Sequence, residues 1–303
     1  MTVRSFVKKM TPRPLRTALR RALTYVQRLM TWAWVMTSVR GLTAADQRAL
    51  NASCRAALRN SARDLDVWCD PILLSDLTAK VEGIGIFRLR ARSDDLYHVV
   101  PRREFRVLEA LDRHLCAGDV VVDAGANIGF FTVAAVRRIG AAGRIVAVEM
   151  MPDTAVALRE HLALNGVENA TVIERALADR AGLHVEATVR DGHFGQATIA
   201  LASTQGGGRQ VQVETTTLAD VLADLPTVAV LKIDIEGAEL AALRGAGSAL
   251  QKVKVILFEQ LDSSPEVPDH LKAMGFDVTS LDGRNRIAIN RNTDFGPLSE
   301  PVR

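Results

Sequence analysis

Residues 119–131 read DVVVDAGANIGFF. Three valines run into an acid, Asp123, and then into a segment with glycines at 125 and 129 around Asn127. Alone, this is either a strand ending in an ordinary turn or a strand that hands the chain to a helix across a bound ligand. The second reading uses every residue. Gly125 and Gly129 let the backbone turn tightly and approach a ligand, and the helix that follows presents its free N–H groups.

The flanking sequence repeats the unit. GRIVAVE (143–149) is followed by a helix from Pro152 to about Leu164, with Pro152 suited to a first helical turn. NATVIERAL (169–177) is a third strand. VAVLKIDIEG (228–237) precedes a helix from Ala238 to about Leu243, and VKVILFEQ (253–260) precedes one from Pro265 to about Met274. Strands that are apolar on both faces, alternating with helices, predict a parallel sheet covered on both sides. GFDVTSLDGRNRIAI (275–289) closes the chain as an antiparallel hairpin with Asp-Gly in its turn. The expected fold is therefore α/β, a doubly wound and mostly parallel Rossmann-like sheet.

Upstream of this repeat, residues 1–75 read as helix, loop and helix without strand signals, a helical extension to a domain spanning 76–303. VEGIGIFRLRAR (81–92) alternates as a strand does, and LYHVV (96–100) reads as a short one. A helix over Arg102–Leu115 would carry Phe105, Leu108, Leu111 and Leu115 on one face. LHVEATV (183–189) and RQVQVETTT (209–217), joined through QGGGR, form an insertion at about 182–217. Such insertions at strand ends tend to carry specificity.

Composition narrows the function. A net charge of +3 over 303 residues is too slight to imply nucleic acid. The excess is local: from Met1 to Ala45 there are nine Lys or Arg and no Asp or Glu. The cysteines 54, 69 and 116 are scattered without a CxxC spacing, which points to a reducing, cytoplasmic compartment and to neither zinc nor disulfides. LRTALRRALTYVQRLMTWAWVMTSV (15–39) reads as an amphipathic helix. Its longest uncharged run, Leu29 to Val39, is 11 residues, short of the roughly 20 a membrane span needs. Arginines deep within it fit a secretory signal poorly. Two readings stand: a helix packed on its own domain or on a second subunit, and an interfacial helix with Trp32 and Trp34 at headgroup level on the inner face of a membrane.

In a doubly wound sheet the ligand lies at the carboxyl ends of the strands, where strand order reverses. A dinucleotide fingerprint would read GxGxxG, whereas this loop is G-A-N-I-G, with Asp123 where a pyrophosphate would meet negative charge. Glu149 ends the second strand, 26 residues after Asp123, where an acid can accept both hydroxyls of a ribose. Acid, glycine turn and second acid outline a site for a nucleoside with a cationic far end. S-adenosylmethionine has that shape.

In LKIDIEGAE (231–239), period two puts Lys232, Asp234 and Glu236 on one strand face. Buried charge is expensive unless paired or used. Either Lys232 neutralises an acid and Glu239 starts a helix, or these groups belong to the site. Asp234 is the first candidate for the base, a clamp on an acceptor hydroxyl, or a holder of the cofactor's amino group, and Glu236 is next. Glu259 could join them, and three acids could hold a divalent ion, although no ligand-pair spacing supports one. His193, in DGHFGQ, is an alternative base. His161 and His270 fall on expected helices and read as surface residues.

VVDAGANIGFFTVAAV, GRIVAVEMMPDTAVALREHLALN, ERALAD and above all LKIDIEGAELAALRGA resemble the FkbM-type family of S-adenosylmethionine-dependent methyltransferases. The likeness runs from about Asp119 to Gln260. It implies a class I methyltransferase fold and, commonly, methyl transfer to a hydroxyl on a sugar, glycolipid or other natural product. Transfer to nitrogen on the same fold, and a scaffold that keeps the cofactor fold without chemistry, are the competing classes. Carried over, Asp123, Gly125, Asn127 and Gly129 would line the methionine end, Glu149 would hold the ribose, and Ala176 and Leu177 would lie against the adenine. Related chains often read Glu-Pro after the second strand. This one reads Glu149-Met150-Met151-Pro152, a turn longer by two residues.

Overall fold

The chain clusters into two compact units in the computed structural model, which describes residues 13–60, 71–189, 198–199, 209–260 and 264–292. One unit comprises residues 1–82 and 89–100, the other 83–88 and 101–303. The first thus runs past the residue-75 boundary read from the sequence.

In the first unit, helix α1 (Arg13–Ser38) leads into strand β1 (Val39–Gly41), helix α2 (Ala44–Asn60), strand β2 (Leu77–Val81) and helix α3 (Asp95–His98). Thr43 caps α2, its amide and hydroxyl donating to Asp46, whose other oxygen accepts from the Thr78 amide at 3.0 Å. Three expectations are corrected here. The extension does contain a strand: β1 pairs antiparallel with β2, and its three residues are too few to show a period. Val81 ends a strand rather than beginning one, because Gly83, at φ +72°, turns the chain before strand β3 (Gly85–Leu89). LYHVV is not a strand: Leu96–His98 lie in helix α3 and Val99 caps it, with Leu96, Val99 and Val100 all buried. The Asp95 carboxylate fixes that turn by taking the Arg90 guanidinium on both oxygens, at 2.7 and 2.8 Å.

The second unit is built on the strand in DVVVDAG. Strand β4 (Val120–Ala124), buried from Val121 onward, lies inside a seven-stranded sheet. The sheet also contains β5 (Arg144–Val148), β6 (Ala170–Ile173), β11 (Val228–Ile233), β12 (Val253–Glu259), β13 (Phe276–Ser280) and β14 (Asn285–Asn290). The spatial order is β13-β14-β12-β11-β4-β5-β6, with only β14 antiparallel to its neighbours. This is the doubly wound fold expected, hairpin included. Order reverses at β4, which has β5 on one side and β11 on the other.

Alternation along the strands divides the core. Val122, Ala124, Leu231, Ile233 and Phe258 face α7 (Leu218–Leu222), α8 (Glu239–Ala246) and a following 3₁₀ turn. Val121, Val230, Val255 and Leu257 face α4 (Phe105–His114) and α5 (Phe130–Ile139). Helix α4 buries Val107, Ala110 and Leu111, and Leu115 beyond its end is buried too. Phe105, expected on that face, is instead 57% exposed because it opens the helix one turn too early to reach the sheet. Helix α6 spans Pro152–Leu164, and α9 spans Glu266–Ala273.

The insertion forms a second sheet, in the order β7-β10-β8-β9. Strands β8 (His184–Val189) and β10 (Arg209–Thr216) pair antiparallel, β9 (Thr198–Ile199) adds to β8, and β7 (Ala176–Leu177) runs parallel to β10. Met151, from the lengthened turn, packs here with Ala176, Ala187 and Val213. Helix α7 escaped the sequence reading, although Thr217 and Asp220 close a capping box on it.

Candidate methyltransferase site

The two diagnostic motifs meet in space. Gly125 has φ +78°, and a Cβ built on it would lie 1.9 Å from the Asp234 carbonyl oxygen. Only glycine lets the loop pass that close to the end of β11. The Asp234 amide in turn donates to the Ala124 carbonyl at 3.0 Å, extending the β4–β11 ladder one residue past β11. Gly129, at φ +88°, abuts Leu158 of α6, and Asn127 takes a left-handed conformation at φ +49°.

Glu149 braces this loop from below. Its carboxylate accepts from the Asn127 amide at 2.8 Å and from the Met151 amide at 2.9 Å, leaving each oxygen a free lone pair. Burial pushes its pKa up to about 7, against the pull of those two hydrogen bonds and of the Lys232 charge. His161 braces the loop from the side. It is fully buried, with Nδ1 2.7 Å from the Ile128 carbonyl and Nε2 2.9 Å from the Arg88 carbonyl. The surface position expected for His161 is therefore corrected: α6 turns it inward against Phe87, where both ring nitrogens find partners. His270 is half-buried.

Asp123 is sealed beneath the loop at 1% exposure. The Thr132 hydroxyl donates to its Oδ2 at 2.6 Å, while Oδ1 has no hydrogen-bond partner and lies 3.6 Å from Lys232 Nζ. Lys232, opposite Asp123 in the β4–β11 register, also reaches Asp234 at 3.5 Å, donates to the Gly125 carbonyl at 3.1 Å and sits 4.8 Å over the Phe131 ring. Burial opposes its charge, but the Asp234 and Asp123 carboxylates outweigh that and hold its pKa above the ordinary lysine value.

Asp234, Glu236 and Glu259 converge, with one carboxylate oxygen of each within 4.8 Å of the others. Lys232 and Asp234 share a face, as alternation predicts. Glu236 does not arrive that way. The strand ends at Ile233, and Glu236 stands at φ +53°, so a left-handed turn delivers it, and the same-strand placement is corrected. Glu239 holds that turn by accepting from the Ile235 and Gly237 amides at 3.1 and 3.2 Å. The structural roles weighed for Lys232 and Glu239 are thus both real, and the acids lie beyond them.

Glu259 was the residue that sequence placed least firmly. It ends β12, its side chain is 14% exposed, and Arg284 holds it at 2.7 Å. Burial first, and then the negative charges of Asp234, Glu236 and Glu104, push it up to about 7 in spite of Arg284. Glu104 and Arg284 carried no sequence signal. The three acids could hold a divalent cation, with Arg284 already offsetting part of their charge. Ala176 and Leu177 are buried, the first in the small-sheet cluster and the second against Val148 and Leu218. His193 lies outside the described residues.

A glycine loop at the switch point of a doubly wound sheet, with an acid ending the next strand, defines a class I methyltransferase site. Residues 123–278 match the family model described as "Methyltransferase FkbM domain", and the chain belongs to that family of S-adenosylmethionine-dependent methyltransferases. It is 28% identical over 200 residues to the methyltransferase sdnD of Sordaria araneosa, a match covering 55% of this chain and 76% of that protein. Among solved structures it is similar to a methyltransferase FkbM from Methylobacillus flagellatus, at TM-score 0.39 and 15% identity over 62% of this chain and 59% of that one. A putative rRNA-methylase from Clostridium thermocellum gives TM-score 0.42 and 12% identity over 61% and 93%. Likenesses this slight carry nothing about the reaction.

The residues present fit S-adenosylmethionine. The glycine cradle has no room for a side chain, Asp123 Oδ1 is an acceptor left over beneath it, and Glu149 retains acceptor capacity where ribose hydroxyls would lie. No helix among the described residues is long and apolar enough to cross a membrane.

Proposed function

We propose that this protein transfers a methyl group to a hydroxyl of a sugar, glycolipid or other hydroxylated natural product, with Glu259 as proton acceptor. The cofactor supplies the activated methyl group. Asp123, Gly125, Asn127 and Gly129 hold its methionine end, Glu149 holds its ribose, and backbone of Ala176 and Leu177 lies by its adenine. The chain's own chemical task is to align the acceptor oxygen and take its proton.

One observation carries this reading: three carboxylates gather beside the glycine loop, and one of them is poised near neutrality. A base works best when its pKa lies near the working pH. Asp234 is held by buried Lys232 at 3.5 Å, which suits it to clamp the hydroxyl, with Glu236 beside it. Glu259 serves as the base because burial first, and then the charge of Asp234, raises it to about 7.

The test is labelled-methyl transfer against a panel of hydroxylated acceptors. Glu259→Gln should lose about 10²–10⁴-fold in turnover with little change in cofactor affinity. The wild-type rate should rise with pH through about 7, where Glu259 ionises. Asp234→Asn, lacking the charge that pushes Glu259 up, should lose rate and move that limb to lower pH. Chelator should leave the wild type unchanged. Near-wild-type turnover in both variants would overturn the assignment and turn attention to His193.

A further inference from the structure

Helix α1 buries one face and leaves the opposite one bare. Thr24, Arg28, Trp32 and Val35 are buried, at helical spacings of four, four and three. On the other side, Leu19, Leu23, Val26 and Met30 recur at four, three and four residues and are 49–58% exposed, with Leu29 and Met36 exposed beside them. A soluble helix shows solvent a polar face, so an apolar stripe this continuous marks a surface that something covers. From Leu19 to Met36 it extends about 26 Å at 1.5 Å per residue.

Charge identifies the cover. Arg20 and Arg21 are exposed on the same helix, and Met1 to Ala45 holds nine Lys or Arg without one Asp or Glu. A second copy docked stripe to stripe would bring two acid-free basic helices together. An anionic lipid surface would attract such a helix, with the exposed arginines at headgroup level and the leucines below.

We infer that the exposed face of α1 is a docking surface for an anionic membrane, on which the helix lies flat. Residues that never share a stripe would have no reason to be both apolar and exposed there; these do share one. The surface is independent of the methyl acceptor, and its failure would leave the proposed chemistry standing.

The full-length protein should co-sediment with vesicles of phosphatidylcholine containing about one-third phosphatidylserine, and not with phosphatidylcholine alone. Raising the salt from about 0.05 to 0.5 M should release it. Leu23→Glu/Met30→Glu should weaken partitioning by about tenfold or more, since two charges would have to enter the acyl boundary. Circular dichroism and cofactor affinity of the variant should match wild type, because neither residue is buried. Wild-type protein that ignores anionic vesicles at low salt would overturn the inference, as would a variant that binds them equally well. A dimer that the double substitution splits, without vesicle binding, would assign the face to a second copy instead.

Discussion

Lys232→Met tests whether the buried ammonium holds the loop and the β11 end together. Methionine keeps the apolar stem and length while deleting the charge. What it abandons is specific: Asp123, 2% exposed in its side chain, loses the cation at 3.6 Å, and the Gly125 carbonyl loses its donor at 3.1 Å. Removing one partner of a buried pair costs about 3–5 kcal/mol, because the other charge is left uncompensated. Asp234, 38% exposed, can turn to water, so its share is small. A loss of about 3–4 kcal/mol is expected, or about 6–15 °C in melting temperature for a domain of this size. Urea unfolding followed by circular dichroism measures it. Because Lys232 is held above its ordinary value of 10.5, its contribution is complete below that pH and lost only on passing above it. The gap between wild type and variant should therefore persist to about pH 9. Adding Asp123→Asn to Lys232→Met should restore part of the loss, since a neutral amide needs no counter-charge. A loss below about 1 kcal/mol, or no recovery in the double variant, would refute the argument.

Two further outcomes bear on the cofactor. Glu149→Ala should weaken S-adenosylmethionine binding by about one to two decades, the worth of charge-assisted hydrogen bonds to a ribose, measured by calorimetry on the folded variant. Since burial holds Glu149 at about 7, wild-type affinity should fall as pH drops through that value, and wild-type stability should decline as pH rises from 4.5 to about 7, a slope the variant lacks. Gly125→Ala should cost at least about tenfold in cofactor affinity, since its Cβ meets backbone at 1.9 Å. Gly118→Ala, at φ +87° with nothing within 4 Å, carries the same backbone strain without the clash and should bind the cofactor normally.

What the sequence made legible follows the length scale of each signal. Central strands of a parallel sheet are buried on both faces, so they appear as unbroken apolar runs, and their parallel pairing was expected from the repeated strand–helix unit. The glycine loop was legible because its residues are adjacent in the chain. Short elements were not. Four residues of α3 and three of β1 take their conformation from what they are buried against, which no local pattern records. His161 looked like any helical histidine, because its partners, Ile128 and Arg88, lie 33 and 73 residues away. Glu259 was visible only as the last residue of a strand. That it stands beside Asp234 follows from β11 and β12 being neighbours with Ile233 opposite Phe258.

The left-handed turn at Glu236 shows why alternation alone misplaces the acids and why they gather all the same. Continued as a strand, the face shared by Lys232 and Asp234 would have carried Glu236 onward in a line, away from Glu259. The chain instead turns back at φ +53°, held by Glu239, and sets three carboxylates around one space. Such a grouping repels itself, and burial together with the charges of Asp234, Glu236 and Glu104 lifts Glu259 to about 7. The lysine that looks purely structural in LKIDIEG holds Asp234 at the edge of that space. It also fixes the Gly125 carbonyl, and with it the loop. The glycine loop and the acid beyond β11 are thus tied through a single buried ammonium, although the two motifs lie more than a hundred residues apart in the chain.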